Sequence, residues 1–445
     1  MRILLMGQCT LHWGRMEYGN LGNYAIVEPF VRELHRVFPE AEIYTTFQMS
    51  DDFCTREQVK RLSMELYYGW KRSDLWKSVY EVMSAWILKH IRVRSPKTAY
   101  MKEIIASDLI IDFSGDIWGE NASLVGKHRF FIGILKDLTA HWLAKPIVLL
   151  AGSPGPFETK WGRMLAAIML KRFDLVTNRE SISVELMKRD HLPVHSIHSL
   201  ACPAFLFEAY SDDDMQDIYV KENLIDDSKP TVGFILCGWN MPIGPFNRSP
   251  RDHSEFRVFA ETVEFIENEL GARVCLLSHN NGFTKPPDFK ITEGRDHEIV
   301  QQLKKVLDDR EKTKNVFILK GLYDCGQTKA IIRQFDMLVS GRIHGAVSAL
   351  SQIVPTVIID YGHEPKAHKL RGFAAVAEMS EYVADPGDSA DVIQKVQQCW
   401  SKRASIREHL NERIPEVQEL ARENFNLLPG VLHKETSTVN GIRGK

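Results

Sequence analysis

Ten short apolar runs, each bounded by turn residues and separated by longer stretches of helical periodicity, constrain the fold of this 445-residue chain more than any other feature. Five lie in the first half: RILLMG (2–7), EIYTTF (42–47), DLIIDFSG (108–115), PIVLLAGS (146–153) and DLVTN (174–178). Five lie in the second: TVGFILCG (231–238), RVCLLSHN (273–280), NVFILKG (315–321), DMLVSG (336–341) and PTVIIDY (355–361). Continuous apolar runs of strand length suit strands buried on both faces, and the helical stretches between them are what parallel connections require. The chain is also too long for a single core. The pattern therefore predicts an α/β protein of two Rossmann-like, doubly wound domains facing across a cleft.

The expected boundaries follow from composition. Residues 1–207 form the N-terminal domain, and 208–230 (EAYSDDDMQDIYVKENLIDDSKP), acidic and poor in apolar runs, form the linker. Residues 231–387 form the C-terminal domain, and 388–445 supply C-terminal helices and a frayed tail.

Charged residues make up 26% of the chain but the formal net charge is only -2, so no global field draws it to nucleic acid. An anionic partner must be met by local clusters. The seven cysteines are odd in number, scattered and never arranged as CxxC, which supports neither a disulfide framework nor a zinc ribbon and points to the cytoplasm. The spacing of His195 and His198 suits a metal only if carboxylates or thiolates converge on it, so no metal and no cofactor is expected. MRILLMGQC is too short for a signal peptide and reads as a buried strand, and no apolar run reaches the roughly 20 residues of a membrane span.

Open α/β domains bind ligands outside the carboxyl ends of their strands, so residues just after a strand are the candidates. Asp116, Ser153, Arg179, His279, Asn280, Arg342 and His344 occupy such positions. In SGRIHGAVSAL (340–350), Gly341 permits a tight turn, and small residues let the following helix approach the sheet. The opening peptide N–H groups of that helix, with Arg342 beside them, make an anion site within reach of His344. The alternative is an arginine paired with a carboxylate and a histidine bonded to backbone. Arg179 is either oriented toward a ligand by Glu180 or part of a surface pair, and Asp116 is either an acceptor ligand or a turn aspartate. The glycines of GNLGN, Gly22 among them, allow a ligand to approach the first helix's N-terminus, with Asn23 beside it.

SGRIHGAVSAL with the following VPTVIIDY and a lysine, together with GNLGNYAI (19–26), GSPGPF (152–157), NRESISVEL (178–186) and ACPAF (201–205), resembles the polysaccharide pyruvyltransferase family over about residues 1–380. The resemblance implies an architecture similar to glycosyltransferase B. It also implies an enzyme of surface polysaccharide synthesis that moves pyruvate from phosphoenolpyruvate onto a sugar hydroxyl pair as a ketal. His344 would manage protons. Arg342, Arg179 and Lys366 would hold the donor's anionic groups. Ser153, Asp116, Gly22, Asn23 and His279 would complete the substrate contacts. Three positions depart from the family pattern: Asn23 and Cys202 stand where an aspartate is common, and Glu364 stands at the spacing of a lysine that recurs here as Lys366. A glycosyltransferase or sugar-nucleotide epimerase using the same two-domain cleft is the rival reading.

Residues 68–97, YGWKRSDLWKSVYEVMSAWILKHIRVRSPK, mix aromatic side chains with cations at helical spacing. Such a segment either lies on an anionic lipid surface at the inner face of the membrane, which suits a lipid-linked acceptor, or covers its own sheet with its cations on the wet side.

Overall fold

The computed structural model describes residues 1–8, 12–92, 96–120, 122, 126, 128–225, 228–362 and 367–433. The chain divides into two compact α/β units. The first contains Met1–Met16, Phe30–Cys202 and the described chain from Leu420, and the second contains Glu17–Pro29 and Pro203–Glu419.

The first unit is built on β1 (Arg2–Met6), β2 (Glu42–Thr45), β3 (Val59–Arg61), β4 (Leu109–Asp112), β5 (Ile147–Gly152), β6 (Leu175–Asn178) and β7 (Ile197–Ser199). They form one parallel sheet in the order β3-β2-β1-β4-β5-β6-β7. The order reverses direction beside β1, the switch point of a doubly wound sheet. All six residues of β5 are buried, as a strand covered by helices on both faces requires.

The second unit is built on β8 (Thr231–Ile235), β9 (Arg273–Leu277), β12 (Val316–Ile318), β13 (Met337–Ser340), β14 (Thr356–Ile359) and β15 (Val383–Ala384). They make a parallel sheet in the order β12-β9-β8-β13-β14-β15, and a separate antiparallel hairpin joins β10 (Asn281–Phe283) to β11 (Ile291–Glu293). Each of the ten expected runs contains a strand. The strands absent from the sequence reading are the short β3, β7 and β15 at sheet edges and the hairpin. Edge strands need no long apolar run because water reaches one side of them.

Residues 208–230 hold the helix Asp212–Lys221, opened by Ser211, whose hydroxyl accepts from Asp214 N at 3.2 Å. Its Met215 and Tyr219 are buried in the second unit's core with Ile331, Ile332 and Phe335. Among the described residues, no helix is long and apolar enough to cross a membrane.

Candidate functional site

The carboxyl edge of the second sheet is tied together by Asn240, just beyond β8. Its Nδ2 donates to Ile359 O and Asp360 O at 3.3 Å each, and its Oδ1 accepts from Cys237 N at 2.9 Å. A Cβ on Gly341 would strike this amide, so the turn after β13 needs glycine to pass. Gly341 N donates back to Ile235 O at 2.7 Å, which fixes where the next residue emerges. Sequence reasoning had no signal for Asn240.

That next residue is Arg342, the N-cap residue of the helix Ile343–Leu350, with extended backbone. Its side chain does not cap the helix. It reaches Asp296 instead, Nε to Oδ2 at 2.8 Å and Nη2 to Oδ1 at 2.5 Å. Asp296 is 1% exposed and lies in the first turn of the helix Arg295–Arg310, where the helix dipole favours a carboxylate. Burial opposes the charge on Arg342, but Asp296 outweighs it and the guanidinium is held protonated above its usual range. The fork is thereby fixed in plane, while Nη1 has no hydrogen-bond partner among the described residues. The carboxylate partner of the alternative reading therefore exists, and it leaves one edge of the guanidinium for a ligand.

His279 follows β9 and is 2% exposed. Burial, then the Arg342 charge, pushes its imidazole down to about 3, so it is neutral at physiological pH. Asn280 beside it docks the GNLGN segment: its Nδ2 donates to Gly19 O at 2.7 Å, and its backbone bridges Asn20. Asn20 opens the helix Leu21–Val37, its Oδ1 accepting from Gly22 N at 3.1 Å and its Nδ2 donating to Asn23 Oδ1 at 3.4 Å. Asn23 thus takes part in the helix cap, a use that needs its amide oxygen and no charge. His344, in the first turn after Arg342, is half-buried with its ring edge on Phe373, centroids 5.7 Å apart. A Cβ on Gly22 would lie 2.6 Å from Cβ and Cγ of His344. The second unit therefore brings together Gly22, Asn23, His279, Arg342 and His344, with Asp296 as a member that sequence reasoning missed.

The first unit gathers another set at the ends of β4, β5 and β6. Arg179 and Ser153 are buried, and Arg179 Nε donates to Ser153 Oγ at 2.9 Å. Their backbones follow suit, Arg179 N bonding Gly152 O and Ser153 N bonding Gly115 O, both at 2.9 Å. Asp116 is half-buried in the turn Gly115–Ile117. Ser153 rather than Glu180 orients Arg179, because the Glu180 carboxylate accepts from Ser183 N at 2.9 Å and from the Ser183 hydroxyl. Asn178, the last residue of β6, is fully buried, and among the described residues neither its Nδ2 nor its Oδ1 has a hydrogen-bond partner. Lys366, like His363 and Glu364, lies outside the described residues. In the same stretch Lys369 is buried, and Arg371 donates to Asp360 Oδ2 at 2.6 Å. Among the described residues, no group of three or more His, Cys, Asp and Glu side chains is placed to hold a metal ion.

In chemical terms the second unit offers a planar cation, a helix N-terminus, a neutral buried imidazole and a half-exposed one. Such a set suits an anion that must be held while a proton moves. The amylovoran biosynthesis protein AmsJ of Erwinia amylovora is 23% identical over 380 residues, 82% of this chain and 84% of that protein. A glycosyltransferase from Rickettsia africae shares the fold with a TM-score of 0.55 at 11% identity, covering 100% of this chain and 99% of that one. The UDP-GlcNAc 2-epimerase of Neisseria meningitidis does so with a TM-score of 0.55 at 11% identity, covering 98% and 100%. These likenesses identify the fold as that of glycosyltransferase-B-type proteins. Residues 20–363, which include Asn20, Gly22 and Asn23 of the helix cap, Arg179, Arg342 and His344, match the Polysaccharide pyruvyl transferase family, and the chain belongs to that family.

Proposed function

We propose that this protein transfers pyruvate from phosphoenolpyruvate to two hydroxyls of a sugar, forming a cyclic ketal and releasing phosphate, in the synthesis of an exopolysaccharide. The observation that carries the reading is Arg342, locked by Asp296 at the N-terminus of the helix that also bears His344. In this scheme Arg342 and the helix N–H groups hold the donor's carboxylate or phosphate. His344 gives a proton to the enol methylene, which becomes the methyl group and makes the central carbon electrophilic. One sugar hydroxyl adds there and returns its proton to His344. Phosphate departs with the other hydroxyl's proton as the second oxygen closes the ring. His279, held neutral, donates or accepts a hydrogen bond without adding charge. Arg179, steadied by Ser153, and Lys366 supply the remaining cations, and Asp116 receives an acceptor hydroxyl.

AmsJ, by its name, serves amylovoran biosynthesis, and a bacterial polysaccharide precursor is the corresponding acceptor here. The reaction belongs in the cytoplasm, at the inner face of the membrane when the acceptor is carried on a lipid. The test pairs thermal-shift screening of phosphoenolpyruvate against nucleotide sugars with acceptor-dependent phosphate release. Phosphoenolpyruvate is expected to stabilise the protein, and His344→Ala is expected to lower turnover by roughly 10²–10⁴. Stabilisation by a nucleotide sugar alone, with no phosphate release, would replace this reading with that of a glycosyltransferase or epimerase.

A further inference from the structure

The helix Ser73–His90 turns its faces opposite to those of a helix that merely covers a sheet. Its buried side carries Asp74, Ser78, Glu81, Ser84 and Ala85, at the three- and four-residue spacing of one helix face. Its solvent side carries Trp76, Tyr80, Met83 and Trp86, with Trp76 73% exposed, Met83 58% and Trp86 44%. The inward polar face is engaged at Asp74, Ser78 and Glu81. Glu81 Oε2 pairs with Lys136 Nζ at 2.5 Å, and Glu81 Oε1 accepts from Thr98 Oγ1 at 2.7 Å. Asp74 Oδ2 accepts from Gly69 N at 3.0 Å and from Lys71 N at 2.9 Å.

Charge follows the same division. Between Leu66 and Arg92 the only acids are Asp74 and Glu81, both buried, whereas Lys71, Arg72, Lys89 and Arg92 are exposed and Lys77 is half-buried. Trp142, on the neighbouring helix Arg129–Trp142, lines an apolar groove of about 260 Å³ with Val82, Met83, Trp86 and Ile87. Lys89 and Arg172 stand over its ring at 5.1 and 5.7 Å.

We infer that this face docks the protein on an anionic phospholipid bilayer. The helix lies in the plane of the headgroups, with Trp76, Tyr80, Met83 and Trp86 at the acyl boundary and the cations against lipid phosphates. A second copy of the chain is a poor occupant, because pairing the face with itself sets like cations opposite one another. The inference stands on this surface alone and survives whatever the acceptor sugar proves to be.

The experiment is flotation of the full chain with vesicles of phosphatidylcholine, with and without phosphatidylglycerol, at low salt and at about 0.1 M salt. Binding is expected to require the anionic lipid and to weaken with salt. The double variant Trp76→Ser, Trp86→Ser is expected to lose roughly tenfold or more in partitioning through the lost apolar transfer, while still melting cooperatively as a folded protein. Lys77→Glu with Lys89→Glu is expected to abolish the preference for anionic vesicles. Failure of the parent to float at low salt overturns the inference, as does a double-tryptophan variant that floats equally well. Parent protein that ignores vesicles but self-associates, in a way the tryptophan variant abolishes, overturns it in favour of a protein interface.

Discussion

Replacing Gly22 with alanine adds one methyl group to the first turn of the helix Leu21–Val37, and that methyl points into His344. The new Cβ would sit 2.6 Å from Cβ and Cγ of His344, against about 3.5 Å for an unstrained carbon contact. The imidazole must therefore retreat by about 1 Å. Alanine improves helix propensity by up to about 1 kcal/mol, while overpacking costs about 1–3 kcal/mol. With the full helix gain the net loss of stability is about 0–2 kcal/mol, a fall in melting temperature of up to roughly 8 °C for units of this size. Misplacing a proton-transfer group by about 1 Å costs on the order of 10²-fold in rate, so turnover should suffer more than folding. Acceptor-dependent phosphate release should show kcat falling about 10²-fold, with a much smaller change in KM for phosphoenolpyruvate, since Arg342 and Asp296 are untouched. Gly430→Ala, where a Cβ meets nothing within 4 Å, is the control and should leave kcat unchanged. A folded Gly22→Ala protein with kcat within about threefold of the parent would refute the argument, because a shift of about 1 Å in a histidine that moves the proton could not be silent.

Removing the side chain of Arg342 strips the buried Asp296 of both its bonds, so Arg342→Ala should cost about 3 kcal/mol in urea unfolding. Adding Asp296→Ala should recover most of that stability and none of the activity. His279, held at about 3 by burial and by Arg342, takes up its proton in the unfolded chain first, near pH 6.5. Its contribution is therefore complete above pH 6.5 and is lost as pH falls toward 3, by about 1.4 kcal/mol per pH unit. Unfolding of His279→Gln at pH 7 and pH 5 should show a correspondingly shallower dependence. Asp112, raised by burial to about 6 against a hydrogen bond from Ser114, works in the other sense, its stabilisation being complete below about pH 4 and lost as pH rises through 6. Asp112→Asn should thus steepen the acid loss in the same measurement. Ser153→Ala removes the acceptor of Arg179 Nε and should lower kcat/KM by about 3–10-fold, the worth of one hydrogen bond.

The strands were legible because a parallel sheet with helices on both faces leaves its central strands no polar option. β3 and β7 were illegible for the converse reason, since exposed positions such as Lys60, Arg61 and His198 carry no apolar signature, and β15, only Val383–Ala384, is too short to leave a run. The strand-end rule located Arg342, His344, Arg179 and Ser153, since topology alone delivers those positions to the sheet's carboxyl edge. It could not supply Asp296, which lies 46 residues before Arg342 and reads in sequence as an ordinary acid in a helix's first turn. Glu180 bonds Ser183 three residues on, but in the reverse order of a capping box, so the pair left no recognisable motif.

The helix Ser73–His90 shows a deeper limit. Periodicity distinguishes two faces of a helix but does not say which one turns inward, and the usual assumption that the apolar face does so fails here. Lys136, on the helix Arg129–Trp142, is buried, and burial lowers its ammonium to about 8 against the pull of Glu81. At neutral pH it still carries charge and needs a carboxylate, and Glu81 supplies one. Breaking such a pair costs about 3–5 kcal/mol, and turning the helix would also strip Asp74 of its bonds from Gly69 N and Lys71 N, each worth about 1.5–3 kcal/mol to a charged group. The ion pair thus fixes the rotation of the helix about its axis, and Trp76, Met83 and Trp86 are driven outward as its consequence. A buried ion pair in one unit's core in this way creates an apolar, cation-rimmed surface that no local stretch of sequence specifies.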